Sequence, residues 1–188
     1  MEKVLLRKEI KRKREALSEE YKRNSSEMIC RFLESSPLFE AASDIFVYVS
    51  EANEPDTADI IKAALKTGKT VYVPKCIKKG VMIPVEINAD TVFSSGYMGI
   101  REPLCFNESI GITEIDLSVI PCVSASYSGE RLGHGAGFYD IFLKNTVTKK
   151  VCLCFDELIS ENIPTEECDI PMDIIITEKG ITDLTGAK

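Results

Sequence analysis

The sequence predicts an α/β fold built around a mainly parallel sheet. Apolar runs of strand length occur at 44–49, 117–123, 151–155 and 172–177, and a helical pattern follows the first of them. The stretch from 44 to 73 is the clearest indication, because a strand, a capped helix and a second strand follow one another there. Such a right-handed βαβ unit makes its two strands parallel. Ligands are therefore expected at the carboxyl ends of the strands.

The composition limits the classes of protein that the chain can belong to. One domain over residues 1–188 is expected, because no repeat, low-complexity tract or linker divides the chain. Asp and Glu number 30 against 23 Lys and Arg, and the net charge of −7 argues against a nucleic-acid or membrane-surface binder. A small anionic ligand stays compatible with this charge, since basic residues can be concentrated locally.

The apolar runs and the cysteines indicate a cytoplasmic location. No apolar run approaches the roughly 20 residues of a membrane span, and the first residues lack the apolar core of a signal peptide. The cysteines number seven, an odd count in a chain without an export signal, so reduced thiols are expected. Cys152 and Cys154 alternate with apolar residues and are predicted to pack in the core rather than to bind a metal.

The first predicted helix, over 3–16, carries a basic face. Lys3, Arg7, Lys11 and Arg14 follow one another at spacings of four, four and three residues, which places them on one side of the helix. Two interpretations stay open. The face is either solvated, or it leans over a phosphate site with Lys3 and Arg7 as the reaching cations.

The next elements follow from caps and breakers. Ser18 is the expected N-cap of a second helix, which Pro37 ends. A polar loop at 50–56 follows the strand at 44–49. It contains Glu54, either a ligand-binding carboxylate or a solvated one. Thr57 caps the helix after this loop.

Residues 70–116 give weaker signals. A short strand is predicted at 70–73, with Pro74 and Lys75 at its carboxyl end. The strand at 81–87 contains a proline, which indicates an edge strand or a bulge. Residues 98–103 look like a loop that closes a subsidiary hairpin.

A glycine-rich segment follows the strand at 117–123, with glycines at 129, 133, 135 and 137. One interpretation is a phosphate loop, since backbone N–H groups and a helix start suit an anion. Arg131 and Asp140 would then add a phosphate clamp and a metal ligand. The other interpretation is a set of turn glycines, because the spacing matches no standard phosphate motif. One anion at a helix end gains about 0.3–1 kcal/mol, whereas micromolar binding needs about 8 kcal/mol, so other groups must converge here.

Several motifs together resemble one family, the 5-formyltetrahydrofolate cyclo-ligases, also called 5,10-methenyltetrahydrofolate synthetases. The most specific is Gly-Glu-Arg-Leu-Gly-His-Gly-Ala-Gly-Phe-Tyr-Asp at 129–140. The supporting motifs are Lys3-x-x-x-Arg7, Ser50-x-x-x-Glu54-x-x-Thr57, Val73-Pro74-Lys75, Met98-Gly99-Ile100-Arg101-Glu102-Pro103 and Asp169 before the strand at 172–177. The resemblance covers nearly the whole chain.

The resemblance implies both a fold and a reaction. The fold is a three-layer α/β/α sandwich of the sugar-phosphate isomerase and CoA-transferase-like type. The reaction is the ATP- and Mg²⁺-dependent cyclisation of 5-formyltetrahydrofolate to 5,10-methenyltetrahydrofolate, with release of ADP and phosphate. Two alternatives stay open: a non-catalytic ATP- or folate-binding relative, and a phosphotransferase acting on another small formylated or carboxylated substrate. A reduced folate is the expected partner of a monomer, a weak dimer being the alternative.

The resemblance also implies roles for individual residues. ATP is expected to contact Lys3, Arg7, Arg131, Leu132, Gly133, His134, Gly135, Ala136, Gly137, Phe138 and Tyr139. Folate is expected to contact Val49, Glu54, His134, Gly135, Ala136, Gly137 and Phe138. Asp140 and Asp169 are the expected Mg²⁺ ligands, and Arg131 and Asp140 the expected catalytic residues.

Three residues depart from the family pattern. His134 stands where relatives often have Tyr or Arg, Ala136 where Lys or Gly is common, and Phe138 where Tyr is usual. For His134, the only histidine, a contact or loop-shaping role is favoured over a catalytic one. With Ala136 the chain lacks a cation that could face phosphate. Phe138 lacks the hydroxyl of Tyr, and the loss of one substrate hydrogen bond weakens binding by about 1 kcal/mol.

Overall fold

The computed structural model of the chain describes residues 2–78, 80–96, 99–104 and 114–186. Met98 and Cys105 lie outside these described residues. The α-helices are α1 (Lys3–Ala16), α2 (Glu19–Glu34), α3 (Pro37–Ala41), α4 (Ala58–Lys66) and α5 (Phe138–Lys144). The strands are β1 (Asp44–Val47), β2 (Thr70–Lys78), β3 (Val81–Ile87), β4 (Phe93–Ser95), β5 (Arg101–Pro103), β6 (Glu114–Ile120), β7 (Ser124–Ala125), β8 (Arg131–Leu132), β9 (Val147–Leu153), β10 (Ile174–Thr177) and β11 (Gly180–Asp183).

A seven-stranded sheet lies at the centre, in the order β11-β10-β9-β6-β1-β2-β3. Its inner neighbours pair in parallel, and only the outermost strands, β11 and β3, pair antiparallel. The predicted mainly parallel sheet is thus confirmed, and β3 is the edge strand that its proline indicated. The subsidiary hairpin is also present, formed by β4 and β5.

Both faces of the sheet are covered. Ile45, Phe46 and Val47 of β1 are all completely buried, although successive side chains of a strand point to opposite faces. Phe46 packs on Phe142 of α5, with ring centroids 4.5 Å apart, so Ile45 and Val47 are covered from the other side. Strands buried on both faces are typical of parallel sheets between helices. The three-layer α/β/α prediction is therefore confirmed.

Prolines have two roles that differ from the sequence-based expectation. Helix α2 ends at Glu34, and Pro37 begins α3 at a position where its missing N–H is tolerated. Strand β2 continues through Pro74, which lies opposite Pro84 of β3. Because β1 pairs with β2 only over 70–72, Pro74 interrupts no hydrogen bond on that side.

The carboxyl-terminal part contains a strand that the sequence did not indicate. Strand β11 follows the strand predicted at 172–177 and pairs antiparallel with β10. The thiols of Cys122, Cys152 and Cys154 are buried and free, which confirms core packing for the last two. Within the residues that the structure describes, no helix has the length and apolarity to cross a membrane.

Candidate active site

Helix α1 turns its basic face toward the protein, at the carboxyl end of β6. An Nη of Arg14 donates to the backbone oxygens of Cys122 and Val123 at 2.7 and 3.1 Å. About two helical turns earlier, Nε of Arg7 donates to the backbone oxygen of Gly133 at 2.7 Å. The solvated interpretation of this face is therefore wrong for these arginines. The sequence showed that they share a face, but it did not single out Arg14.

The first part of the glycine-rich segment is a hairpin rather than a loop. Strands β7 and β8 pair antiparallel, and Arg131 and Leu132 of β8 are buried, with 8% and 1% of their surface exposed. Gly129 lies in the turn at φ +99°, and a Cβ there would approach the backbone oxygen of Met172 to 3.0 Å. This glycine therefore allows the hairpin to pack against the chain before β10.

The second part of the segment is an exposed loop, from Gly133 to Gly137. Gly135 and Gly137 have φ of +99° and +72°, a conformation that favours glycine. A Cβ at Gly135 would lie 3.5 Å from Cζ of Arg7, so this arginine covers the loop closely. Helix α5 then begins at Phe138. The turn interpretation holds for three of the four glycines, those at 129, 135 and 137, whose positive φ favours glycine. The phosphate-loop interpretation stays a prediction, for a loop backbone that lies exposed beside a cation.

Arg131 lies beneath this loop and binds Asp140. Its side chain is 3% exposed, and one Nη donates to both carboxylate oxygens of Asp140 at 2.9 Å. The other Nη donates to the backbone oxygen of Pro121 at 3.3 Å. A Cβ at Gly133 would lie 2.9 Å from that Nη. Only glycine therefore lets the loop close over a guanidinium that Asp140 holds in place.

Tyr139 points into the protein from the first turn of α5. Its ring packs edge-on against Phe46, with centroids 6.5 Å apart, and Cζ of Arg131 lies 5.8 Å from its centre. Burial raises the pKa of Tyr139 well above its ordinary value, so the phenol stays protonated. Tyr139 thus adds no negative charge beside Arg131.

The second acidic residue predicted to bind metal, Asp169, is linked to the first through its neighbour in the chain. The amide N–H of Ile170, the residue after Asp169, donates to Asp140 at 3.3 Å. Asp169 accepts hydrogen bonds at 2.6 Å from Nζ of Lys3 and from the amide of Glu166. Burial opposes ionisation of Asp169, but these partners outweigh it and lower its pKa.

These two carboxylates do not form a metal site by themselves. Across the described ranges, no three or more His, Cys, Asp or Glu side chains are grouped to hold a metal ion. Carboxylate oxygens are the hard donors that Mg²⁺ prefers, and Mg²⁺ in nucleotide sites usually combines one or two of them with phosphate oxygens and waters. Asp140 and Asp169 offer oxygen donors of this kind, and the remaining ligands of a cation held there would come from a bound molecule.

Glu54 lies on the other side of the exposed loop. Its side chain is 8% exposed, and its Oε1 lies 3.7 Å from Nε2 of His134. Its other oxygen accepts a hydrogen bond from the amide of Glu51 at 3.0 Å. Burial raises the pKa of Glu54 to about 7. The solvated interpretation of this carboxylate is wrong, and it titrates near neutral pH.

His134 borders the same space with about half of its side chain exposed. Partial desolvation, followed by the charge of Arg14, lowers the pKa of His134. The neutral imidazole is therefore favoured at pH 7. Its position between the exposed loop and Glu54 agrees with the contact role that the sequence favours.

The loop that carries Glu54 is held by its own polar groups. The hydroxyl of Thr57 donates to the backbone oxygen of Tyr48 at 2.7 Å, and the hydroxyl of Tyr48 donates to that of Pro55 at 2.7 Å. Thr57 stands at the N-cap of α4 as predicted, but Asp56 rather than Thr57 accepts a hydrogen bond from the Ala58 amide. The Glu54 backbone is thus fixed from both ends of its loop.

Two cavities meet at this loop. One has a volume of about 420 Å³ and is lined by α1 and the exposed loop, including Arg7, Lys11, Arg14 and His134. The other has a volume of about 890 Å³ and is lined in part by Val49. Glu51, Ala52 and Glu54 line both. Glu54 thus lies between the smaller cavity, which is lined by basic side chains, and the larger cavity.

The fold and this cleft define an α/β protein that brings cations, carboxylates and an exposed glycine loop together at the carboxyl edge of a parallel sheet. A family model described as the 5-formyltetrahydrofolate cyclo-ligase family matches residues 1–178. The chain therefore belongs to the 5-formyltetrahydrofolate cyclo-ligase family, which confirms the resemblance seen in the sequence. It is a ligase of folate metabolism.

Similar proteins and structures agree with this assignment. The chain is 31% identical over 179 residues to a probable 5-formyltetrahydrofolate cyclo-ligase of Caenorhabditis elegans, covering 86% of this chain and 85% of that protein. It is 28% identical over 174 residues to the 5-formyltetrahydrofolate cyclo-ligase of Escherichia coli K12, covering 89% and 96%. The NMR structure of Aquifex aeolicus 5,10-methenyltetrahydrofolate synthetase matches with a TM-score of 0.87 at 31% identity, covering 98% and 94%.

Proposed function

We propose that this protein cyclises 5-formyltetrahydrofolate to 5,10-methenyltetrahydrofolate, consuming ATP in the presence of Mg²⁺ and releasing ADP and phosphate. The observation that carries the proposal is a continuous series of contacts between parts of the chain that are distant in sequence. Its members are Lys3 with Asp169, Asp140 with Ile170, Arg7 with Gly133, and His134 near Glu54. Groups suited to a phosphate, a cation and a pterin thus adjoin one another.

The proposed nucleotide site is the exposed loop and the cations above it. Lys3 and Arg7 contribute positive charge, and Gly133, Gly135 and Gly137 present no side chain of their own to a phosphate. Arg131, Leu132 and Tyr139 support the loop from below. Phosphoryl transfer depends mainly on positioning and charge neutralisation, which these groups can provide. Together they supply the convergent contacts that one helix end cannot.

The proposed Mg²⁺ ligands are Asp140 and Asp169. Mg²⁺, when bound, would neutralise charge on the phosphate oxygens during transfer. Arg131 orients Asp140 through its paired hydrogen bonds, and Lys3 does the same for Asp169. In this proposal Arg131 contributes to catalysis by orienting the carboxylate of Asp140. Its guanidinium lies beneath the exposed loop rather than on its exposed side.

The proposed pterin site is Glu54, with Val49 and the loop residues His134, Gly135, Ala136, Gly137 and Phe138 around it. An ionised carboxylate can accept two hydrogen bonds from the amino group and ring N–H of a pterin. Burial strengthens such charge-assisted hydrogen bonds. This carboxylate would fix the folate with its formyl group facing the nucleotide.

The proposed reaction has two stages, phosphoryl transfer and then ring closure. The formyl oxygen attacks the γ-phosphorus, and the bond between that phosphorus and ADP breaks. N10 attacks the activated formyl carbon, forms the new C–N bond and loses its proton to solvent. The C–O bond breaks, phosphate leaves with the former formyl oxygen, and the positive charge is shared by N5 and N10. We propose that a cytoplasmic monomer carries this out with no nucleic-acid or membrane partner, in keeping with the net charge of −7.

The test is to mix the purified protein with 5-formyltetrahydrofolate, ATP and Mg²⁺ and to record the near-UV absorption of the methenyl product. Growth of this band that stops when ATP or Mg²⁺ is omitted supports the proposal. Binding of both ligands without product would instead identify a non-catalytic relative. ATP hydrolysis without the band would indicate a phosphotransferase. The presence of Arg131, Asp140, Asp169 and Glu54 disfavours the non-catalytic alternative.

A further inference from the structure

We propose that Arg14 is a positioning residue for folate recognition, acting through Glu54 across the 420 Å³ cavity that both side chains line. This inference rests on the proposed function, because it takes Glu54 as the group that binds the pterin. It concerns a residue that neither the nucleotide site nor the metal site uses.

Arg14 is fixed by the end of β6. One Nη donates to two consecutive backbone oxygens, those of Cys122 and Val123, at 2.7 and 3.1 Å. Its Nε is buried and has no hydrogen-bond partner among the described residues. The guanidinium thus binds neutral carbonyl groups, which hold it in place without cancelling its charge. A fixed positive charge therefore lies at the wall of the cavity.

The groups around Glu54 come from several elements. Glu51 lies on its own loop, Tyr48 follows β1, Tyr139 lies on α5, and Cys122 follows β6. His134 approaches from the exposed loop, with its neutral form favoured. None of these five side chains supplies a positive charge at neutral pH, whereas Glu51 adds a negative one.

Arg7 and Lys11 of α1 line the same cavity, but Arg14 is the cation whose charge lowers the pKa of Glu54 most. Burial raises the pKa of Glu54 to about 7, and the Glu51 amide and then the Arg14 charge counteract that rise. An ionised Glu54 accepts two hydrogen bonds from the donors of a pterin, whereas a protonated one has a hydrogen in place of an acceptor site. The fraction of ionised Glu54 thus sets the affinity for folate near neutral pH, and Arg14 sets that fraction.

The test compares Arg14→Met with wild type by measuring the KM for 5-formyltetrahydrofolate from pH 6 to 9 at saturating ATP and Mg²⁺. Losing an opposing charge is expected to move the midpoint of the KM profile up by about one pH unit. From a midpoint near 7, KM at pH 7 then rises about fivefold, and the difference vanishes by pH 9. The kcat and the KM for ATP stay unchanged, since only folate binding depends on this ionisation.

Two further variants separate charge from packing. Arg14→Lys keeps the positive charge and is expected to restore most of the wild-type profile. Arg12→Met removes an arginine from the exposed face of α1 and is expected to change nothing. A KM increase in Arg14→Met that is equal at every pH would show a packing role only. A rise in the KM for ATP would make Arg14 a phosphate ligand. Either result overturns the inference.

A measurement without turnover distinguishes this inference from the proposed function. The carboxyl carbon of Glu54 is titrated by NMR in ligand-free wild type and in Arg14→Gln, a variant that keeps a polar side chain. An upward shift of the Glu54 titration in the variant supports the inference even in a protein that makes no methenyl product. Superimposed titrations refute it, whether or not the wild type is an active ligase.

Discussion

Asp140 and Glu54 lie on either side of one exposed loop, yet their charges are balanced in different ways. Asp140 accepts two hydrogen bonds of 2.9 Å from Arg131 and a third from a backbone amide. Glu54 is more buried, 8% against 20% exposed, but accepts one backbone hydrogen bond. Its pKa is raised to about 7 by burial. The cleft thus combines a carboxylate fixed by a permanent cation with one whose ionisation follows pH.

The largest effect is expected when the fixed carboxylate is neutralised. Asp140→Asn is expected to lower turnover at least about 100-fold, because a metal ligand and the partner of Arg131 change together. The lost charge-assisted hydrogen bond should also reduce the free energy of unfolding by about 2 kcal/mol. Initial rates of methenyl formation and urea denaturation measure both effects.

A matched control separates chemistry from stability. Asp173 is also 20% exposed, and its carboxylate lies 2.8 Å from Nζ of Lys150, just before β10 and outside the cleft. Asp173→Asn should lose similar stability and keep its turnover. Full activity in Asp140→Asn, or equal loss of activity in both variants, would remove the assignment of Asp140 as a metal ligand.

An intermediate effect is expected for the titrating carboxylate. Glu54→Gln should raise the KM for 5-formyltetrahydrofolate about tenfold or more, since a hydrogen bond to a charged group contributes about 1.5–3 kcal/mol. It should also stabilise the protein at high pH. The folded-state pKa of Glu54 is raised above the ordinary 4.5. The stability that this carboxyl group contributes is therefore fully present below about pH 4.5 and is lost as the pH rises through 7.

The stability difference has a defined pH window. At pH 8 the wild type must keep a buried charge that the glutamine lacks, so Glu54→Gln should be more stable by about 1–3 kcal/mol. At pH 4 the two proteins should be equally stable. Glu86→Gln, at an exposed position on β3, should show no such crossover. Parallel stability curves for Glu54→Gln and wild type would contradict the raised pKa.

The smallest effect is expected for the loop backbone between the two carboxylates. Gly135→Ala places a methyl group 3.5 Å from Cζ of Arg7 at a φ of +99°. It should raise the KM for ATP severalfold and lower stability by about 1 kcal/mol. Gly68→Ala has a similar φ of +76° with open space around it, so it should lose stability without a change in KM. Equal KM values for ATP in both variants would indicate that Arg7 and the loop beside it do not take part in ATP binding.

The sequence predicted the elements well wherever a local pattern carried the information. The βαβ unit follows from apolar runs and capping residues, and the edge position of β3 follows from its proline. Strand β11 was not predicted because its residues, Gly180–Asp183, show no strong apolar pattern. Its place is set by pairing with β10, which is a long-range interaction.

The environments of charged residues were harder to predict, because they depend on contacts between distant segments. The spacing of Lys3, Arg7 and Arg14 showed that they share a face, but it did not show whether that face was solvated. Their partners lie more than 100 residues away. The same applies to Gly129, since a Cβ added there would come close to the backbone of Met172, which is distant in sequence.

The docking of α1 has a consequence for the cost of binding an anion. Lys3 and Arg7, in the proposed nucleotide site, already point their cationic groups at oxygens, those of Asp169 and Gly133. Folding has thus restricted these flexible side chains before the anion of the proposed nucleotide arrives. Little rotational freedom is left to lose at that moment, so the cleft is preorganised and more of each new contact is retained as affinity.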